Sequence, residues 1–128
     1  MAVFNLDGDL EPLKQYEMIY LGSPYTKYPW GLDEATTDIA RIVARLIRAG
    51  LKVYSPIIHT HYIALAGNID PIDHEFWINF DTAMMLKSDS LLIAMMSGWD
   101  QSRGIKAEID TFVHQQKPID YLQVGVYR

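Results

Sequence analysis

The chain alternates between short apolar runs and longer segments whose apolar residues recur at spacings of three and four. EMIYLGSP (17–24) is an apolar run ending in Gly-Ser-Pro, the pattern of a strand entering a loop. After an aromatic loop, Ala35, Ile39, Ile42, Val43, Leu46 and Ile47 fall on one helical stripe opposite Arg41, Arg45 and Arg48, and Gly50 stands where that helix should stop. LKVYSPI (51–57) predicts a second strand ended by Pro56. IHTHYIALAGNIDPID then predicts a short helix and a loop, with Asp73 capping a further helix, HEFWINFDTAMMLKSD (74–89). SLLIAMM (90–96) is apolar at nearly every position, as a strand covered on both faces would be. GIKAEIDTFVHQQ (104–116) predicts a helix with Ile105, Ile109, Phe112 and Val113 inward, ended by Lys117-Pro118, and IDYLQVGVY a last strand. Residues 1–16 read as an N-terminal arm.

Strands alternating with helices predict an α/β fold of three layers: a mostly parallel sheet of four or five strands, flavodoxin-like or Rossmann-like, with helices on both faces. The 128 residues fit one domain, and a hydrophobic content of 49% allows a proper core. No internal repeat, low-complexity stretch or linker interrupts the pattern.

Charge and composition narrow the function. A formal net charge of −5 argues against binding duplex nucleic acid, which needs a basic face. There is no cysteine, hence no disulfide framework and no thiolate chemistry. No apolar run approaches the ~20 residues of a membrane helix, and the acidic start MAVFNLDGDLEPLK lacks the apolar core of a signal peptide. A soluble, cytoplasmic domain without membrane contact is expected.

In parallel sheets, ligands bind beyond the carboxyl ends of the strands, where strand order reverses. The loops expected there, 22–31, 56–70 and 97–104, hold Ser23, Tyr25, Trp30, His59, His61, Trp99, Asp100, Ser102 and Arg103. A Gly/Ser loop feeding a helix start offers free N–H groups to an anion. No GxxxxGK[ST] or GxGxxG occurs, which excludes a Walker NTPase and a Rossmann dinucleotide fingerprint. Two histidines at 59 and 61 without a third ligand at a diagnostic spacing argue against a metal site. Trp30 and Trp99 could stack on a base or cover the mouth of the loops. The paired methionines at 84–85 and 95–96 read as core filler. Asp89 reads as a turn or cap before the apolar strand.

The motif YLGSPYTK after the first strand, Asp81 eight residues before Asp89, and Ser102-x-Gly104-x-x-x-Glu108 after the apolar strand resemble the nucleoside 2-deoxyribosyltransferase family. They are more similar still to the related 2′-deoxynucleoside 5′-monophosphate N-glycosidases. GWDQSRGIKAEIDTF also resembles small bacterial and phage domains placed near that superfamily. The resemblance implies Glu108 as the nucleophile at the sugar C1′, Tyr20 orienting it, and Asp81 protonating the departing base. It further implies that Ser23 and Ser102, with backbone N–H groups of the loops holding Gly22 and Gly104, grip a 5′-phosphate, while the loop chemistry itself adds Tyr25, His59, Trp99 and Asp100 as expected substrate contacts. Neither metal nor organic cofactor is implied, and a homo-oligomer, dimer or tetramer, is; exposure of Tyr25, Tyr28 and Trp30 would be compatible with one. The chain departs from the glycosidase pattern in Ser-Pro-Tyr after Gly22, in the Trp-Asp-Gln insertion before Ser102, and in Lys106 and Ile109 where glycines are usual.

Physical chemistry favours the same pair. Cleaving an N-glycosidic bond passes through an oxocarbenium-like state, which one carboxylate stabilises at C1′ while an acid assists the leaving group. Glu108 near a helix start should be held ionised by the helix dipole. Asp81, between Phe80 and Met84, should stay protonated if buried. The competing expectations are a sensor of the same fold that binds a nucleotide without turnover, and an interaction domain in which these residues do not converge.

Overall fold

A computed structural model describes residues 1–125. Five strands form one parallel sheet: β1 (Val3–Asn5), β2 (Ile19–Gly22), β3 (Val53–Tyr54), β4 (Ser90–Ala94) and β5 (Ile119–Gln123), in the spatial order β1-β5-β4-β2-β3. Four helices flank it: α1 (Leu32–Arg48), α2 (Pro56–Gly67), α3 (His74–Lys87) and α4 (Arg103–His114). Two 3-10 turns, Glu11–Gln15 and Trp99–Gln101, complete the regular structure. This is the three-layer α/β fold that the alternation predicts.

The sheet separates two cores. Alternation along β2 sends Ile19 and Leu21 to one face and Tyr20 to the other. β4 divides in the same way, with Leu92 and Ala94 on the first face and Leu91 and Ile93 on the second. The first core takes Ala35, Ile39, Ile42 and Leu46 of α1. The second takes Ile105 and Phe112 of α4. Both central strands are covered on both sides, which is why SLLIA carries no polar alternation.

Several segments depart from the sequence expectation. Residues 1–16 are not a free arm: Val3–Asn5 pairs with Tyr121–Gln123 of β5 as an edge strand, and Leu6, Leu10 and Leu13 are buried. Pro56 does not merely end a strand. It opens α2, a full 12-residue helix capped by Ser55, whose Oγ accepts from Ile58 N at 3.3 Å. A proline in the first turn of a helix forfeits no hydrogen bond. Ile47 and Val113, expected inward, are exposed, because each lies at the edge of a stripe wider than its helix's contact with the sheet. The last strand ends at Gln123, and residues 126 and 127 of the expected strand lie outside the described residues.

Asp73 caps α3 through Phe76 N, and α1 stops at Gly50. Asp89 ties two strand starts together, its Oδ2 accepting from Glu17 N at 2.7 Å and Met18 N at 3.1 Å. Of the paired methionines, Met85 and Met96 are buried.

Candidate functional site

The connection from β2 through α1 leads to β3 on one side, while that from β4 through α4 leads to β5 on the other. The direction of winding therefore reverses between β2 and β4. Right-handed crossovers then place α1 and α4 on opposite faces, and the crevice between these two strand ends is where such folds bind ligands.

Glu108 comes to this crevice from the second turn of α4. Gly22, the last residue of β2, lies directly against it: a Cβ built there would sit 2.7 Å from Glu108 Oε1. Only a residue without a side chain leaves room for the carboxylate. Tyr20, on the same face of β2, is wholly buried. Its ring packs on Tyr54 of β3 and Phe112 of α4, with centroids 5.7 and 5.9 Å apart. Asp81 reaches the group from α3.

The buried polar atoms here are short of partners. Among the described residues, Tyr20 Oη, Ser23 Oγ, Tyr54 Oη, His59 Nδ1, Asp81 Oδ1 and Glu108 Oε1 are buried without a hydrogen bond. Native interiors leave few such atoms, since each costs ~1–3 kcal/mol. Tyr20 influences the Glu108 carboxylate as a neighbouring donor, but the contact falls short of hydrogen-bond geometry, as the orphaned state of both atoms shows.

Electrostatics follow from burial. Desolvation, reinforced by Asp81, raises the Glu108 carboxyl well above its ordinary value, and the Tyr20 hydroxyl offsets this only in part. Glu108 as a residue keeps a partly exposed surface while Oε1 itself is buried, and the orphaned atom is what decides the shift. The helix-dipole expectation is thus overturned: Glu108 lies beyond the first turn of α4, where the dipole has faded, and desolvation wins. Burial likewise raises Asp81 to about 6, against a smaller lowering by His74. Tyr20 is pushed far up by burial and then by Glu108 and Asp81, and Tyr54 is pushed up by burial and Asp81. Burial thus favours the protonated form at both carboxyls.

The remaining expected residues divide. Ser23 follows Gly22 and is buried. His59 stacks on Phe80 with centroids 4.5 Å apart and packs against Tyr54, so it borders Asp81's neighbourhood. Ser102 caps α4, its Oγ accepting from Ile105 N at 3.2 Å, which leaves its own hydroxyl proton to donate. Gly104 is exposed in the first turn of α4, and Asp100 is exposed on the 3-10 turn. Trp99 packs edge-on against Tyr121, centroids 5.7 Å apart, on the α4 face.

Tyr25 is placed apart from the carboxyls. Its hydroxyl meets His61 Nδ1 at 2.6 Å, and His61 Nε2 meets Asp33 Oδ1 at 2.8 Å. This chain pins the loop after β2 to α2, and burial, with Asp33 and Asp70, raises Tyr25 to about 12. Tyr28, expected exposed, is buried and donates to Asp38 at 2.5 Å, while Trp30 keeps partial exposure. His59 and His61 point to different partners, and no three metal-ligating side chains gather among the described residues.

Two members were not anticipated. Tyr54 ends β3 beside Tyr20, a juxtaposition that only strand pairing creates. Gly98 has φ of +89°, and a Cβ there would lie 2.3 Å from the Lys27 carbonyl oxygen. The loops after β2 and β4 therefore touch backbone to backbone at Gly98. Two open surface depressions of ≈ 420 and ≈ 440 Å³ lie elsewhere, beside Asp7 and Arg45 and beside Asn5 and Gln123. Neither contains the orphaned polar groups.

The fold and site define a parallel α/β domain with two partly buried carboxyl groups at its topological switch point. The chain belongs to the family described as Domain of unknown function (DUF1937), whose family model matches residues 17–123. No curated protein matches the chain. Among the described residues, no helix is long and apolar enough to cross a membrane.

Proposed function

We propose that the protein cleaves, or transfers at, the N-glycosidic bond of a nucleoside or nucleoside 5′-monophosphate, as the resemblance to the nucleoside 2-deoxyribosyltransferase family implies. The observation that carries this reading is the convergence of Glu108, Asp81 and Tyr20 at one switch point with polar atoms buried and unpartnered. Such atoms are a cost to the free protein that a polar ligand relieves.

Glu108 in its ionised form attacks C1′, forming a C1′–O bond as the C1′–N bond breaks. Asp81 supplies the proton that the departing base nitrogen takes up. Water then displaces Glu108 from C1′ and returns a proton to Asp81. Burial favours a proton on Glu108, so the reaction requires its transfer to Asp81. Positive charge developing at C1′ favours that transfer, because it stabilises the nearer anion. Ser23 Oγ and the Ser102 hydroxyl, with the free N–H groups of α4, would hold a 5′-phosphate. His59 and Tyr54 would line the side facing the base.

The test is base release, followed by chromatography, from ribo- and deoxyribonucleosides and their 5′-monophosphates, using wild type, Glu108→Gln and Asp81→Asn. Loss of release in both variants supports the pair. 7-Methylguanosine 5′-monophosphate, whose cationic ring leaves without a proton, assigns the acid. It should restore turnover to Asp81→Asn and not to Glu108→Gln. The reverse pattern would exchange the two roles. Release from no substrate, with nucleotides still raising the melting temperature, would make the protein a nucleotide-binding sensor.

A further inference from the structure

Tyr25, His61 and Asp33, apart from the carboxyl pair, form a chain with a direction. The His61 side chain is 4% exposed, while that of Asp33, on the first turn of α1, is 83% exposed. A carboxylate only accepts, so His61 Nε2 carries a proton and donates it to Asp33 Oδ1 across 2.8 Å. In the neutral ring the other nitrogen is then a bare acceptor. Tyr25 therefore donates to His61 Nδ1, at 2.6 Å. Burial, the main cause that raises the Tyr25 hydroxyl to about 12, keeps that proton in place. The Tyr25 ring adds an edge contact on His61, with centroids 5.8 Å apart and planes at 89°. One imidazole thus joins three segments: the loop after β2, the start of α1 and the middle of α2.

The chain lies next to two of the unpartnered polar atoms. Tyr25 follows Ser23 by two residues, and Ser23 is 6% exposed with its Oγ buried and without a hydrogen bond. His61 follows His59 by two residues, and the buried His59 Nδ1 also lacks a partner. Ser23 belongs to the loop and His59 to α2, so their separation depends on how the loop sits against the helix. Tyr28 fastens the loop to α1 through Asp38, and Lys27 meets Gly98 of the loop after β4. Neither contact involves α2, whereas the Tyr25–His61 bond does. We propose that His61 is a positioning residue that sets the distance between Ser23 and His59, and so fits the site to a ligand that reaches both. This rests on the proposed function for the identity of the ligand, a nucleotide with its phosphate at Ser23 and its base at His59. A site already spaced for such a ligand binds it without a further ordering cost, so the chain acts on binding. Glu108 and Asp81 stand on α4 and α3, which the chain does not touch, so the chemical step is spared.

The test compares the full chain with Asp33→Ala, Asp33→Asn, Tyr25→Phe and the double variant Asp33→Ala/Tyr25→Phe. Asp33→Ala removes the acceptor at the exposed end of the chain. It should raise KM for the 5′-monophosphate cleaved fastest by about tenfold, the worth of one such hydrogen bond, with kcat unchanged. Tyr25→Phe cuts the other end and should raise KM to the same extent. The double variant should add nothing, because a tie cut twice is lost once. Asn keeps an oxygen that accepts from Nε2, so Asp33→Asn should retain the wild-type KM. Two readings need no turnover. Nitrogen NMR of the wild type should find the His61 proton on Nε2, and Asp33→Ala should shift the backbone amides of Ser23 and His59 together while Asp33→Asn leaves them in place. A wild type that releases no base counts against the proposed function, and the amide shifts still decide the role of His61. That role is overturned by a neutral His61 protonated on Nδ1, by Ser23 and His59 amides that stay in place, by a loss confined to kcat, or by an Asn as damaging as Ala.

Discussion

Gly22→Ala separates the chemistry of the site from its stability. The new methyl would lie 2.7 Å from Glu108 Oε1, where an ordinary contact begins at 3.4 Å, so the carboxylate must retreat by about 0.7 Å. Glu108 Cδ at 3.7 Å and a Leu91 methyl carbon at 3.7 Å stand clear of the new atom. The strain therefore falls on the tip of a flexible side chain. The stability cost should sit at or below the lower end of overpacking, ~1 kcal/mol, partly offset by the ~0.5 kcal/mol that removing a glycine from the unfolded chain contributes. The melting temperature should move by less than about 4 °C. Catalysis responds differently. A reacting group displaced by about 1 Å loses on the order of 100-fold, and 0.7 Å should cost roughly 30-fold in kcat/KM. The assay is base release under substrate-limited conditions, paired with a thermal melt. Wild-type activity in a variant that melts normally would refute the reasoning, since the carboxylate beside Gly22 would then not be the one that acts.

Other expectations follow from the same residues. Glu108 holds a proton in the folded chain at pH values where an unfolded glutamate, with its ordinary value of 4.5, has lost it. Its contribution to stability is therefore fully present below about 4.5 and is lost as pH rises toward the folded value. Glu108→Gln should accordingly raise the melting temperature at pH 8 and leave it unchanged at pH 4; equal shifts at both values would contradict the assignment. The carboxyl pair sheds its first proton near Asp81's value of about 6, so kcat/KM should rise about tenfold per pH unit below 6 and level off above it. A rate that falls through pH 6 would refute the shared proton. Tyr20→Phe removes a hydroxyl that has no partner, and should hold or raise the melting temperature while lowering kcat, read from a melt and a saturation curve. Ser102→Ala deletes the cap of α4 and should cost ~1 kcal/mol by denaturant titration.

What could be read from the sequence was what short-range periodicity determines. Ala35, Ile39, Ile42 and Leu46 recur on one face because α1 has one face to bury, and the order of elements followed. β1 escaped notice because VFN is three residues long and exists through pairing with β5, which lies more than a hundred residues away. α2 was read short because its apolar residues surround it and leave no 3.6-residue signal. Asp81 and Glu108 were nameable from motif spacing, but their proton balance was not. The dipole that favours an ionised Glu108 is a local feature, whereas the desolvation that overrides it comes from β2, α3 and α4 together. Tyr54 was invisible for the same reason, since its meeting with Tyr20 depends on strand register.

The contact between Gly98 and the Lys27 carbonyl reaches beyond the local backbone. It brings the two rims of the crevice together backbone to backbone, with no room for a side chain between them. A side chain at position 98 would force the two loops apart. The glycine at 98 thus holds the width of the crevice between these loops to what a bare backbone allows.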